Sequence, residues 1–256
     1  MTVAPDPDVL SDAQWARLAP LMPGGCKGKR GPRTDNRLFM DAVLWMTRAG
    51  GRWKDLPDRF GKVGTVKRRY YDWMARGVLS DILAVLRGGR PRMGLRGRHH
   101  RARPPAGRRS PPGKGGSNAQ GLGRSRGGLS TKIHLACDAL GNPVRLLAGP
   151  GQQGEVLRAA ELIEGLACRH VIADRAYDAE HFHDTVLDAE AQPVIPPRPN
   201  RRRPHAYDKH LYKERNLIER CFAKLKQFRR VATRYDKLLV NFLSFVTMAA
   251  IIIWLK

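Results

Sequence analysis

The stretch 87–126 cannot build a core, and it divides what can. It reads RGGRPRMGLRGRHHRARPPAGRRSPPGKGGSNAQGLGRSR, with twelve Lys/Arg, many Gly and Pro, scarcely an apolar side chain and no Asp or Glu. Such a composition buries too little apolar surface to offset the entropy of ordering, so disorder is the expectation here. The chain of 256 residues, 42% hydrophobic, is then left with foldable parts at 1–86 and 127–256.

The same stretch carries half of a formal charge of +24, in a chain whose pI is near 10.9. Lysines and arginines that neutralise phosphates release condensed counterions, so a polyanion is the natural partner. An anionic membrane is a poorer candidate, because no basic amphipathic anchor stands out. The most apolar run, residues 245–255, falls short of the ~20 residues a spanning helix needs and reads as a buried helix. The N-terminus is acidic and lacks an apolar signal core. Cys26, Cys137, Cys168 and Cys221 are scattered without a CxxC pair, which excludes a zinc-finger pattern and a disulfide framework and fits a reducing cytoplasm. His99 and His100, adjacent in an arginine-rich run, make a weak metal pair.

Residues 1–86 read as a helical, DNA-binding domain. Ser11 or Asp12 caps a helix carrying Trp15, Leu18 and Leu21, which Pro23 ends. Thr34 and Asp35 open a second helix, closed by Gly50-Gly51. Thr65 caps a third, in which Lys67, Arg68 and Arg69 sit beside Tyr70, Tyr71 and Trp73, and a short fourth follows. A basic, aromatic helix late in such a set suits a helix-turn-helix-like reader of duplex DNA, with Lys67, Arg68 and Arg69 as contacts. A small bundle with a solvated basic face is the alternative.

Residues 127–256 alternate between strand and helix. Apolar and polar residues alternate on both sides of Asp138-Ala139-Leu140-Gly141-Asn142, a hairpin signal. A helix at 155–167, a strand ending at Asp174, a helix at 179–189 and a strand at 192–196 follow, which implies a mixed α/β sheet with flanking helices. Asp174 stands where α/β folds put ligands, at the carboxyl end of a strand, although an Asx turn needs the same residue. A basic, proline-containing loop then leads to YKERNLIERCFAKLK, residues 212–226. Leu217, Ile218, Cys221, Phe222 and Leu225 form its apolar stripe. Tyr212, Arg215, Glu219 and Lys226 fall in one arc of roughly 60° if the whole segment is α-helical at about 100° per residue. An ordinary surface Arg/Glu pair would have the same spacing.

Taken together, VIADRAYD, the Y-x2-R-x3-E-x6-K pattern of Tyr212, Arg215, Glu219 and Lys226, and GRSRGGLSTKIHLACDALGNPVRLL resemble the DDE transposases of bacterial insertion sequences, family five. WKDLPDRFG and its neighbouring helices also look like the N-terminal region of that family. The resemblance implies a ribonuclease H-like catalytic domain in which three carboxylates hold two Mg2+ (or Mn2+) ions for DNA strand cleavage and transfer. By carry-over, Asp174 and Glu219 are two catalytic metal ligands, Arg215 and Lys226 contact DNA phosphates, and Tyr212 positions the strand. The implied partner is duplex DNA, namely the element's terminal inverted repeats and its target, with no membrane and with a homodimer as one assembly. The implied place is the bacterial cytoplasm, at the nucleoid.

One departure from the family pattern outweighs the match. The family's first catalytic aspartate belongs to a strand upstream of the hairpin, yet no acidic residue occurs between Ile82 and Cys137. The domain at 127–256 is therefore expected to lack its first strand, and the chain to be inactive in cutting DNA. A non-catalytic DNA-binding protein or repressor derived from a transposase is the rival reading, and a general RNA-binding basic protein is a more distant one. The genetic code supplies a hypothesis for the loss. Read one nucleotide downstream, Met93-Gly94 must give Trp, Arg98-His99 permits Asp, and His99-His100-Arg101 allow Thr or Ile at two positions. The shifted frame can spell Glu-Trp-x-Phe-Val-Val-Asp-Thr-Thr-Val-Arg-Ala-His-Gln, close to the missing strand. Residues 88–110 would then be translated out of frame, with the frame restored before Gly115.

Overall fold

The computed structural model describes residues 6, 8–23, 35–88, 94–96, 100–102, 120–125 and 128–256. Most of the stretch expected to be disordered, together with Cys26 and His99, lies outside them. The chain forms two compact units, Met1–Leu86 with Leu225–Lys256, and Arg87–Lys224.

The first unit opens with helix α1 (Asp12–Leu18), held by a reciprocal cap in which Ser11 Oγ accepts from Gln14 N and Gln14 Oε1 accepts from Ser11 N. Helix α2 (Asn36–Ala49) begins where Asp35 accepts from the amides of Arg37 and Leu38, and ends on Gly50 at φ +66°, a conformation that favours glycine. Asp41 turns inward from α2 to accept from Leu10 N at 2.8 Å, and burial raises its carboxyl above the ordinary range. Two short 3-10 turns, Trp53–Asp55 and Asp58–Phe60, lead to α3 (Val63–Ala75) and α4 (Val78–Arg87). Helix α3 is capped at Lys62, three residues before the expected Thr65, with no side-chain hydrogen bond there.

The second unit is built on a mixed sheet. Strand β1 (Gly94–Arg96) lies between β4 (Gly128–Cys137), antiparallel, and β6 (His170–Ile172), parallel. Strands β2 (His100–Ala102) and β3 (Gly123–Ser125) continue along the same edge of β4, which β5 (Pro143–Pro150) pairs on its other side. Strand β7 (Gln192–Val194) joins β6 in parallel, so the order across the centre is β5, β4, β1, β6, β7. A strand thus occupies the position expected to be empty, because backbone pairing asks for a free N–H and C=O rather than for an apolar side chain.

The hairpin between β4 and β5 is tied by the buried Asp138. One carboxylate oxygen accepts from Leu140 N and Asn142 N, both at 2.9 Å, and Gly141 takes φ +75°. The expected helix at 155–167 shortens to a 3-10 turn (Val156–Arg158) and α5 (Ala159–Ile163), with Gly165 at φ +63° soon after its end. Helix α6 (Glu180–Asp188) packs Phe182 and Val186 with Val171, Ala173, Tyr177 and Ile195 in a core under β6 and β7. Helices α7 (Lys209–Tyr212) and α8 (Asn216–Lys226) are joined by a 3-10 turn, Lys213–Arg215. Along α8, Ile218, Cys221 and Phe222 are buried, and burial pushes the Cys221 thiol up to about 12.

The chain then returns to the first unit through α9 (Arg229–Ala232) and α10 (Leu239–Trp254). Sequence reading placed these residues in one domain with the sheet, whereas here they complete the N-terminal helices. Helix α10 is apolar on nearly every side and so is enclosed, and no described helix is long and apolar enough to cross a membrane. Phe245 stacks on Tyr70 with ring centroids 4.6 Å apart. Buried Arg230 lies over the same ring, donates to both carboxylate oxygens of buried Asp236, and reaches Gly51 O at 2.6 Å.

Three substitutions test these contacts. Asp236→Asn, which leaves the Arg230 charge buried without its carboxylate, should lower the unfolding free energy by about 3–5 kcal/mol in urea titrations. Arg52→Gln, at the exposed pair with Asp55, should leave the midpoint almost unmoved. Asp138→Ala, which orphans the amides of the hairpin turn, should cost about 1–3 kcal/mol in the same assay.

Candidate functional site

Asp174 lies two residues beyond the end of β6 and is 9% exposed. One of its carboxylate oxygens accepts from Ala176 N at 2.9 Å and caps the 3-10 turn Arg175–Tyr177. The residue therefore performs the Asx-type turn that competes with its functional reading, and its second oxygen has no part in that cap. Tyr212 comes to the same place. Burial pushes its phenol up, the Arg215 guanidinium opposes that push, and the Asp174 carboxylate adds to it.

The row of residues 212, 215 and 219 is assembled differently from the uniform α-helix expected. The 3-10 turn at Lys213–Arg215 stacks residues three apart, which sets the Arg215 guanidinium over the Tyr212 ring at 5.7 Å. An α-helical i,i+4 step then brings Arg215 Nη1 to Glu219 Oε1 at 2.8 Å. Glu219 is 52% exposed in this pair, and Lys226 is exposed at the end of α8. Among the described residues no group of three or more His, Cys, Asp or Glu side chains is arranged to hold a metal ion.

The basic residues of α3 separate into two kinds. Lys67 and Arg68 are exposed, as a nucleic-acid contact requires. Arg69 instead lies 4.2 Å from the Phe39 ring centroid and 4.9 Å from that of Trp73, and donates to Asn36 Oδ1. Its guanidinium is a half-buried packing element of the helical unit.

A polar cluster beside Asp174 escaped sequence reading. Asp178, with a side chain 1% exposed, accepts from Arg201 Nη1 at 2.6 Å and Arg198 N at 2.7 Å, and meets His183 Nε2 at 3.1 Å. Burial pulls the His183 imidazole below its ordinary value, while the hydrogen bond to Asp178 works against that shift. Arg201 also reaches Glu180 and His205, and the His205 ring stacks on His183 at 4.3 Å. Arg198 donates from Nη2 to Ala176 O at 2.9 Å. The loop after β7 is thereby fastened to the turn that carries Asp174. The signals available in the sequence were an aspartate four residues beyond Asp174 and the run of arginines at 198–203, and neither identifies the other as its partner.

Comparisons with known proteins identify a family for the chain. Residues 95–255 match a family model described as "Transposase DDE domain", and residues 10–83 match one described as "Putative transposase of IS4/5 family". The chain is 43% identical over 132 residues to "Putative transposase for insertion sequence element IS6501" of Brucella ovis, covering 50% of this chain and 100% of that protein. It is 63% identical over 81 residues to "Uncharacterized protein y4sN" of Sinorhizobium fredii, covering 32% of this chain and 65% of that one. It is also 30% identical over 119 residues to "Putative transposase for insertion sequence element IS402" of Burkholderia cepacia, covering 42% of this chain and 54% of that one. No solved structure matches. With more than half of its length matched by the catalytic family and most of the remainder by a transposase N-terminal family, the chain belongs to the DDE transposases of insertion sequences.

Proposed function

We propose that this transposase binds duplex DNA at the ends of its element and, with the sequence it has, does not cut it. The observation that carries the proposal is the composition of the central strand: β1 reads Gly-Leu-Arg, and no carboxylate occurs anywhere between Ile82 and Cys137. The strand order, three antiparallel neighbours followed by two parallel ones, supports a ribonuclease H-like domain. Strand β1 sets Leu95 opposite Ile172, two residues before Asp174. In such a sheet the first carboxylate belongs to this strand, beside the second.

Divalent metal ions serve this family, and two-metal hydrolysis of a phosphodiester needs hard oxygen donors around both ions. Asp174 and Glu219 are the carboxylates assigned to that task. They do not suffice, because the sequence offers no third acid from the central strand. The residues present do not fit the metal pair, so no cleavage step is assigned to this chain. Its DNA-facing residues are present: Lys67 and Arg68 on α3, Tyr212 with the Arg215 guanidinium over its ring, and Lys226 at the end of α8. Such a protein competes with an intact transposase for the same ends, which is the behaviour of a repressor.

Duplexes taken from the DNA flanking the gene should be retarded by the protein in gel-shift titrations, with affinity falling steeply as salt rises. Supercoiled plasmid carrying the same DNA should stay intact with Mg2+ or Mn2+. Cleavage that disappears in Glu219→Gln would show the chain to be a working nuclease. The out-of-frame hypothesis has its own test, since the nucleotide sequence read in the second frame across codons 88–110 should encode Asp-Thr-Thr. Its absence there removes that explanation and leaves the binding proposal standing.

A further inference from the structure

Four arginines fall within residues 198–203, and two of them are committed to protein atoms. Arg198 donates to the carbonyls of Arg175 and Ala176, and Arg201 spans Asp178, Glu180 and His205. Arg201 Nε also donates to Arg203 O at 2.9 Å, so the anchored arginine fixes the backbone that carries its neighbours. Arg202 and Arg203 are exposed, and so is Arg175, which follows Asp174 directly. Glu180, the acid on this rim, is engaged by Arg201 and His205, which lowers its repulsion of an approaching anion. Beneath the loop, the Asp178 carboxylate receives one guanidinium, one backbone amide and one imidazole contact.

We infer that this loop is a preorganised grip for the phosphate backbone of duplex DNA, with Arg175, Arg202 and Arg203 meeting phosphates and Asp178 acting as the positioning residue. The inference rests on the DNA-binding reading above and assigns it a place on the sheet unit. Holding the backbone before binding removes part of the ordering cost that a free arginine loop pays on contact. Duplex DNA is the favoured ligand because the exposed guanidinium groups lie on a fastened loop beside the strand end. The aromatic side chains that grip single-stranded RNA by stacking do not accompany them within 198–203.

The test compares the full chain with Arg202→Gln/Arg203→Gln and Asp178→Asn, measuring anisotropy of a short mixed-sequence DNA duplex and a matched RNA duplex across about 50 to 200 mM salt. Each phosphate contact contributes about 0.9 to the slope of log affinity against log salt, so the double arginine variant should lose roughly two from the slope along with affinity. Asp178→Asn should weaken binding and open the loop to trypsin between Arg201 and Arg203. Arg202→Lys/Arg203→Lys, which keeps the charges, should restore the wild-type slope. An unchanged slope in the double Gln variant, with wild-type binding intact, overturns the grip while leaving the DNA-binding reading in place. A loss confined to the RNA duplex also overturns it, and absence of DNA binding by the wild-type chain overturns both.

Discussion

A ten-residue strand buried on both faces over its last eight residues must find partners for the backbone groups along both edges, and β4 imposes that demand on the sheet unit. The hairpin with β5 satisfies one edge through a continuous ladder. The other edge is met piecemeal by β1, β2 and β3, all drawn from a sequence with hardly any strand-forming side chains. Hydrogen bonding between main chains is indifferent to side-chain identity, so position in the chain can recruit residues whose composition argues against structure. The outcome is a sheet whose central strand serves the backbone and carries no carboxylate.

What the sequence revealed followed the range of the interactions. Local devices were legible, including the Ser11 and Asp35 caps, the left-handed glycine that ends α2 and the Asp138 turn, because each depends on residues a few positions apart. The 3-10 turn within 212–226 was not, since helical periodicity hardly distinguishes three residues per turn from 3.6 over so short a span. The apolar surface of α10 announced burial without naming what would bury it. Asp178 was the hardest case, because its partners Arg198 and Arg201 lie about twenty residues away and no periodic pattern links them. At the candidate site, Asp174, Tyr212, Arg215 and Glu219 were singled out by the family resemblance, since their spacing alone also fits an ordinary surface, whereas the 2.8 Å pairing of Glu219 with Arg215 required coordinates.

The surplus of positive charge also takes on a different meaning. Arginine offers five donors on a planar group that packs against rings, and this protein uses both properties internally. Arg69 lies against Phe39 and Trp73, Arg230 over Phe245, and buried Arg234 donates to the carbonyls of Asp236 and Lys237. Arg198 and Arg201 hold a loop. A formal charge counted from composition therefore overstates what is presented to a polyanion. Arg68, Arg175, Arg202 and Arg203 are among those that stay exposed and count towards the charge the surface presents.

The partnership of residues 225–256 with the first helices sets an order of events during synthesis. A ribosome finishes α1 to α4 early, but the aromatic and ionic contacts that Tyr70 and Gly51 make with Phe245 and Arg230 wait for the last stretch of the message. The beginning of the protein is thus hostage to its end. A slip in reading frame that was never corrected would forfeit the α10 sequence and leave the N-terminal helices without their apolar cover. Helices α1 to α4 acquire that cover only when residues 225–256 have been made.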